Sequence, residues 1–149
     1  MAEKTPQIGE NGEILRYNRR TARDLAFKYV FQWNVVGSDI AETMEELYGM
    51  HFKPIDVEYI KNTVKTVIKN KDMIDGLIEE NSKGWKKDRL SSVCLAILRV
   101  ALAEMYFMDD IPEKVSINEA VELAKTYDTP EVAAYVNGVL GKIQTAKGE

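Results

Sequence analysis

The sequence predicts an all-α fold, in which about six or seven helices pack around one central helix at residues 90–108. Two observations predict it. Apolar residues recur at the three- and four-residue spacing of helix faces along most of the chain, and no segment alternates apolar and polar residues as a half-buried strand does. The length of 149 residues, with 45% hydrophobic and 30% charged residues, is typical of one globular domain or of two small subdomains that share a core.

The central stretch is apolar on nearly every side and carries only two charged residues, Arg99 and Glu104. A helix of this kind needs cover from several neighbours. A membrane-spanning helix is the competing interpretation, but it requires roughly 20 predominantly apolar residues, and a charge near the bilayer centre costs about 2.5–3.5 kcal/mol. Because Arg99 lies in the middle, the sequence favours a buried core helix, with Asp88 as its N-cap and Trp85 packed beside its start.

A tail precedes the first helix. Residues 1–15 contain proline and glycine and show no periodic pattern, so we expect a flexible N-terminal tail. A helix then begins near Arg19 or Thr21 and buries one apolar stripe. It ends at Gly37, because glycine is favoured at the residue that follows a helix.

Two more helices are predicted before the central one. A short helix, capped by Ser38 or Asp39, reaches about Tyr48. A long helix begins at Pro54, since proline is tolerated in the first turn, and continues for about seven turns. We expect this long helix to bend near Asn70.

Two helices follow the central one. Ser116 and Glu119 have the spacing of a capping box, in which each side chain bonds a free backbone N–H at the helix start, so Glu119 needs no functional role. Pro130 opens the last helix. Gly138 and Gly141 weaken that helix by about 1 kcal/mol each relative to alanine, and we expect close approach of a neighbouring helix to explain them.

The charge distribution suggests an anionic partner. The net charge is −4, yet residues 16–28 hold five basic residues and one acid: Arg16, Arg19, Arg20, Arg23, Lys28 and Asp24. Cations at a helix N-terminus oppose the helix dipole, so the cluster is unfavourable unless it binds something negative. Arginines beside aromatic residues such as Tyr17 and Phe31 favour RNA, through phosphate contacts and base stacking. A solvated basic face is the alternative.

Other chemistry has little support in the sequence. Cys94 is the only cysteine and lies on an apolar face, so we interpret it as a small core residue. His51 is the only histidine and has no ligand partner at metal-binding spacing. No phosphate-binding loop or catalytic motif is present, and no secretory signal begins the chain. We therefore expect a cytoplasmic protein without metal, cofactor or catalytic activity.

Three blocks of residues form a recognisable pattern. The first is RRTAR at 19–23 with YVFQW at 29–33; the second is Trp85, RL at 89–90 and ILRVA at 97–101, followed by Glu104. The third and most specific is IP at 111–112, INEAVELAK at 117–125 and YVNGVL at 135–140. In this order and spacing, from about Arg19 to Ile143, the chain resembles the NusB family of bacterial transcription antitermination and ribosomal-RNA processing factors.

The resemblance implies a fold and a function. NusB-like proteins consist of two small helical bundles, which here would span about residues 16–82 and 85–146 of a domain at 16–149. They bind boxA single-stranded RNA together with NusE, a small-subunit ribosomal protein, and the complex joins the RNA polymerase antitermination complex on ribosomal-RNA operons. The family has no catalytic activity and needs no cofactor, and the NusE surface would lie mainly on the C-terminal bundle and the central helix.

The resemblance also implies a set of RNA-binding residues: Arg16, Arg19, Arg20, Arg23, Phe31, Glu131 and Tyr135. In this set the arginines meet phosphates and bases, the two aromatic residues stack, and the acid tunes affinity by repulsion. Phe31 stands where relatives commonly have tyrosine and so lacks a hydroxyl. Cys94 and Leu95 stand where relatives often carry an acid and a base, which removes a polar contact or makes the surface apolar.

Two other function classes remain open at this stage. NusB-like domains also occur in some RNA methyltransferases, but those enzymes need a separate cofactor domain, which this sequence does not show. A protein-only interaction module or a self-associating homodimer, with the RNA surface hidden, is the other alternative.

Overall fold

The computed structural model describes residues 7–8, 14–15, 18–37, 40, 42–82 and 90–148. Within these ranges the helices are α1 (Arg19–Val36), a 3₁₀ helix (Thr43–Gly49), α2 (Pro54–Lys69), α3 (Lys71–Asn81), α4 (Ser92–Phe107), α5 (Glu113–Tyr127) and α6 (Pro130–Gly148). This architecture confirms the all-α prediction.

The predicted tail contains one short pairing. Gln7–Ile8 and Ile14–Leu15 form a two-residue antiparallel pair, in which Ile8 lies opposite Ile14. Two residues are too few to show the alternation from which strands are predicted, and the fold remains all-α. The other residues of the predicted tail at 1–15 lie outside the described ranges.

The central helix α4 is confirmed as the core. Ile97, Leu98 and Leu102 are completely buried, and α4 contacts α1, α2, α3, α5 and α6. Because α4 contacts helices from both halves of the chain, the division into two bundles stays a prediction. The N-cap is Ser91, whose Oγ accepts a hydrogen bond from the backbone N–H of Cys94 at 2.9 Å, and not Asp88, which lies outside the described residues along with Trp85.

The two charges of α4 are buried and paired. Arg99 donates two hydrogen bonds to Asp75 of α3, from Nε at 2.9 Å and from Nη2 at 2.8 Å. Glu104 is completely buried and pairs with Arg23 of α1. A buried charge is tolerated only with such partners, so these pairs explain how a nearly apolar helix carries them. In the described part of the chain, no helix has both the length and the apolar character needed to cross a membrane.

The N-terminal half follows its predicted boundaries in part. Gly37 has φ +72° and donates its N–H to the carbonyl of Trp33, which confirms it as the residue that ends α1. The predicted long helix breaks into α2 and α3 at Asn70, where only a bend was expected. The predicted short α-helix is wrong: the segment is a 3₁₀ helix of seven residues, while Ser38 and Asp39 lie outside the described residues. A segment this short can bury Met44 and Leu47 with three-residue turns.

The capping box is also wrong. α5 begins at Glu113, directly after Pro112, so Ser116 lies inside the helix. Pro112 has φ −60° and an extended ψ of 137°, which starts the helix almost one turn earlier than the Ser–Glu spacing indicates. The hydroxyl of Ser116 is therefore available to Glu104, to which it donates at 2.7 Å.

The last helix begins as predicted, but the surroundings of its two glycines differ from the prediction. The Oγ1 of Thr129 accepts a hydrogen bond from the N–H of Val132 at 3.1 Å, and Pro130 is the first residue of α6. The expected close approach at Gly138 and Gly141 is wrong, because a Cβ placed on either residue would meet nothing within 4 Å.

Candidate nucleic-acid interface

The arginines of α1 point in two directions. Arg19 and Arg23 are four residues apart and share a helix face, whereas Arg20 lies about 100° away around the helix. The exposed fractions of their side chains are 32% for Arg19, 74% for Arg20 and 6% for Arg23. The structure therefore separates three residues that the sequence presents as one cluster.

Arg23 is buried against a fully buried carboxylate. Its Nε and Nη2 donate to the two oxygens of Glu104 at 2.7 and 3.1 Å, and the same carboxylate accepts from the hydroxyls of Ser116 and Tyr59. Burial alone would lower the pKa of Arg23, but the hydrogen bonds and charge of Glu104 raise it above its ordinary value. A guanidinium committed in this way is not available to a phosphate in this conformation.

Arg19 turns towards α2. Its Nε donates to Asp56 at 2.9 Å, and its guanidinium carbon lies 4.4 Å from the centre of the Tyr59 ring. The guanidinium carbon of Arg23 lies 5.7 Å from the centre of the same ring, so both arginines of this face are within cation–π distance of Tyr59. Arg19 thus remains partly exposed while it helps to hold α1 on α2.

Arg20 is the exposed arginine, and it is held from one side. Its Nε and Nη2 donate to the two carboxylate oxygens of Glu119 in α5 at 2.9 and 2.7 Å. Glu119 is only 14% exposed and also lies 3.4 Å from Nη1 of Arg23. The hydrogen bond from Arg20 lowers the pKa of the Glu119 carboxyl, and the same bond raises the pKa of Arg20. Sequence reasoning missed Glu119, because it assigned this residue to a capping box.

The contact between α1 and α5 continues beyond Arg20. Asp24 accepts a hydrogen bond from the Tyr127 hydroxyl at 2.5 Å and pairs with Lys28 at 2.9 Å. Nζ of Lys28 lies 5.5 Å from the centre of the Tyr127 ring, and the centres of the Phe27 and Tyr127 rings are 5.2 Å apart. Tyr127 itself is 38% exposed. The four-residue spacing of Arg20, Asp24 and Lys28 was the available signal for this polar face.

A small cleft of about 170 Å³ lies along this α1–α5 contact. Its charged lining residues are Arg20, Arg23, Asp24, Glu119 and Glu122. Three carboxylates and two guanidiniums line it, so the cleft itself does not attract anions, and the exposed part of Arg20 is its outward-facing cation.

The remaining predicted residues lie elsewhere on the surface or outside the described ranges. Phe31 is half-buried, with its ring 6.4 Å from that of Phe27, and Glu131 is exposed in the first turn of α6. Tyr135 is half-buried and its hydroxyl shares a hydrogen bond with Ser82 at the end of α3. Arg16 lies outside the described residues, as does Tyr17.

Cys94 is confirmed as a core residue. It is 2% exposed, and burial raises the pKa of its thiol to about 12. Leu95 is half-buried and packs against the core, so this part of α4 is apolar where the resemblance implies a charged pair. Among the described residues, no group of His, Cys, Asp or Glu side chains is arranged to hold a metal ion.

Comparison with known proteins identifies the family. The NusB family model matches residues 20–145. The chain is 41% identical to a transcription antitermination protein NusB from Clostridium botulinum (strain Loch Maree / Type A3), across 85% of this chain and 99% of that protein. It is 46% identical to the protein of the same name from Acetivibrio thermocellus, across 87% of this chain and 90% of that protein.

Solved structures agree with the sequence relatives. A T. maritima NusB structure matches with a TM-score of 0.79 and 34% identity, across 86% of this chain and 91% of that chain. A chain from the structure of the antitermination factors NusB and NusE in complex with dsRNA matches with a TM-score of 0.77 and 31% identity, across 89% of this chain and 98% of that one. Since the family model, the relatives and the solved folds coincide over most of its length, the chain belongs to the NusB family.

Proposed function

We propose that this protein is a non-catalytic transcription antitermination factor, which binds boxA single-stranded RNA together with NusE and acts in the cytoplasm within the RNA polymerase antitermination complex. The observation that carries the proposal is the structural match to a chain solved in a complex of NusB, NusE and double-stranded RNA, across 89% of this chain and 98% of that chain. The relatives named as antitermination proteins support the same role.

The exposure of the arginine side chains supports different proposed roles within the set of RNA-binding residues. Arg20 is the main phosphate contact, because it is the most exposed of the three described arginines, and Arg19 is secondary. Arg23 acts through Glu119 and Glu104 as a positioning residue.

The other proposed RNA contacts complete the surface. Phe31 and Tyr135 are half-buried rings with which bases would stack. Glu131 would weaken binding by repulsion, and Arg16 remains part of the proposed set.

The surface for NusE is proposed on the C-terminal half. Phe107 at the end of α4 and Val115 in the first turn of α5 are 43% and 41% exposed. Because exposed apolar patches mark protein-binding sites, we infer that these two side chains contribute to that surface. A protein-only module or a homodimer that uses such a surface without specific RNA binding is the alternative.

Fluorescence anisotropy with labelled RNA tests the proposal. The probes are a short boxA single strand, a scrambled strand of equal length and a duplex of boxA with its complement, each with and without purified NusE. Each binding curve is measured at two salt concentrations, because every phosphate contact contributes about −0.7 to the salt slope of single-strand binding.

The two outcomes differ clearly. Preferential binding of the boxA strand that NusE strengthens supports the antitermination role. Equal and weak binding of all probes, unchanged by NusE, refutes specific RNA recognition, and light scattering of the free protein would then show whether it self-associates.

A further inference from the structure

The bond between Arg20 and Glu119 leaves one edge of the guanidinium free. Glu119 accepts from Nε and Nη2, which form one side of the planar group. Among the described residues, the Nη1 group of Arg20 has no hydrogen-bond partner. A guanidinium presents five N–H groups in a fixed fork, so the outward edge formed by Nη1 and Nη2 keeps the geometry that binds two phosphate oxygens.

Glu119 is a firm support for this edge. Its side chain is 14% exposed, and it is held a second time by Nη1 of Arg23 at 3.4 Å. Arg23 is itself fixed by Glu104, which is completely buried. The direction of Arg20 is therefore set by a chain of ion pairs that ends in the core.

The same network cancels the charge of Arg20. Two cations, Arg20 and Arg23, face two anions, Glu104 and Glu119, and the sum is zero. Non-specific binding of nucleic acid depends on how many phosphates the protein neutralises and on the counterions released, and it is independent of base sequence. A neutral network contributes little to such binding, whereas a phosphate placed at the free edge still gains direct hydrogen bonds.

We propose that Glu119 is a specificity-determining residue for RNA: it suppresses the attraction of Arg20 for arbitrary phosphates and presents its Nη1–Nη2 edge to one phosphate in a fixed position. The inference rests on the proposed function, since it concerns the discrimination between boxA and other strands. Glu119 acts through Arg20 and is a positioning residue. Specificity of this kind comes from weakening the wrong complexes as well as from stabilising the right one.

Two substitutions separate charge from position. Glu119→Gln removes the charge, so we expect binding of the scrambled strand to strengthen about two- to fivefold, the effect typical of one exposed ion pair. Binding of the boxA strand strengthens less, and the ratio of the two affinities falls. Glu119→Asp keeps the charge but shortens the reach by one methylene, so boxA binding weakens while scrambled binding stays unchanged.

Glu122→Gln is the matched control. Glu122 lines the same cleft one turn further along α5, and its carboxylate pairs with Lys125 at 3.7 Å. Glu122→Gln also removes one negative charge, but it leaves the bond between Arg20 and Glu119 in place. The affinity for the boxA strand and for the scrambled strand should therefore rise by the same factor. In an Arg20→Ala background, Glu119→Gln should no longer change the affinity ratio.

Anisotropy at about 0.15 M salt provides the measurement, and thermal unfolding of each variant shows that it is folded. A fall in the boxA-to-scrambled ratio for Glu119→Gln, absent in the Arg20→Ala background and in Glu122→Gln, supports the inference. Equal gains on both strands, or an effect that persists without Arg20, overturns it. If the wild-type protein binds both strands equally, the proposed boxA function fails, and with it any specificity role of Glu119.

Discussion

The most direct test of the described network is Arg23→Ala. Glu104 is completely buried and accepts two hydrogen bonds from Arg23, at 2.7 and 3.1 Å. The substitution leaves the hydroxyls of Ser116 and Tyr59 in place but removes the only cation bonded to this carboxylate among the described residues. Breaking a buried pair from one side costs about 3–5 kcal/mol, because the remaining charge is uncompensated.

This loss is a large part of the stability of a domain of this size. Folded domains are stable by about 5–15 kcal/mol, so Arg23→Ala should lower the melting temperature on the order of 10 °C. Urea unfolding followed by circular dichroism measures the change in free energy without RNA. Arg20→Ala is the matched control: it removes the same kind of side chain from an exposed position, and the melting temperature should move by less than about 2 °C.

A double substitution shows whether the loss of stability in Arg23→Ala comes from the unpaired charge of Glu104. Arg23→Met combined with Glu104→Gln removes both charges. The amide oxygen of the glutamine still accepts from one of the two hydroxyls, and its NH2 group donates to the oxygen of the other. We expect the double substitution to recover at least half of the loss, since neutral replacement of a buried pair is often well tolerated. A loss below about 1 kcal/mol for Arg23→Ala, together with a flatter salt slope for RNA binding, would refute the reasoning and restore Arg23 as a phosphate contact.

Three further predictions concern the rest of the molecule. Gly138→Ala and Gly141→Ala should each stabilise the protein by about 0.5–1 kcal/mol in urea unfolding, because the added methyl groups meet open space, whereas Gly37→Ala should destabilise it at φ +72°. The Cys94 thiol, with its pKa raised to about 12 by burial, should react with a thiol reagent at pH 8 only as fast as the protein unfolds. Since Arg20 lowers the pKa of Glu119 below 4.5, the stability advantage of wild type over Glu119→Gln should be constant above about pH 5.5 and disappear as the pH falls below 4.5.

Helices were predictable because their signals are local. The apolar stripe of α4 and the αL glycine at Gly37 both lie within a few residues of the feature they determine. The start of α5 was mistaken because two local signals competed there. The helix begins directly after Pro112, so Ser116 lies inside it and cannot be its N-cap. The hydroxyl of Ser116 instead donates a hydrogen bond to Glu104.

The candidate site was less predictable because its partners are distant in sequence. Arg20 and Glu119 are 99 residues apart, and Arg23 and Glu104 are 81 apart. No periodic pattern shows which of 24 acidic residues faces which arginine. One local signal for Arg23 existed, since it lies four residues before the buried Phe27 and therefore on the inward side of α1.

The arginine-rich start of α1 acquires a second explanation from these pairings. Its first turn contains no acid, and the cations there oppose the helix dipole, which suggested an anionic partner. Each arginine has a carboxylate on a different helix: Asp56 on α2 for Arg19, Glu119 on α5 for Arg20, and Glu104 on α4 for Arg23. The dipole cost is therefore offset within the chain, and the cluster alone does not require RNA. The argument for RNA at this helix rests on the 74% exposure of the Arg20 side chain and the free edge of its guanidinium.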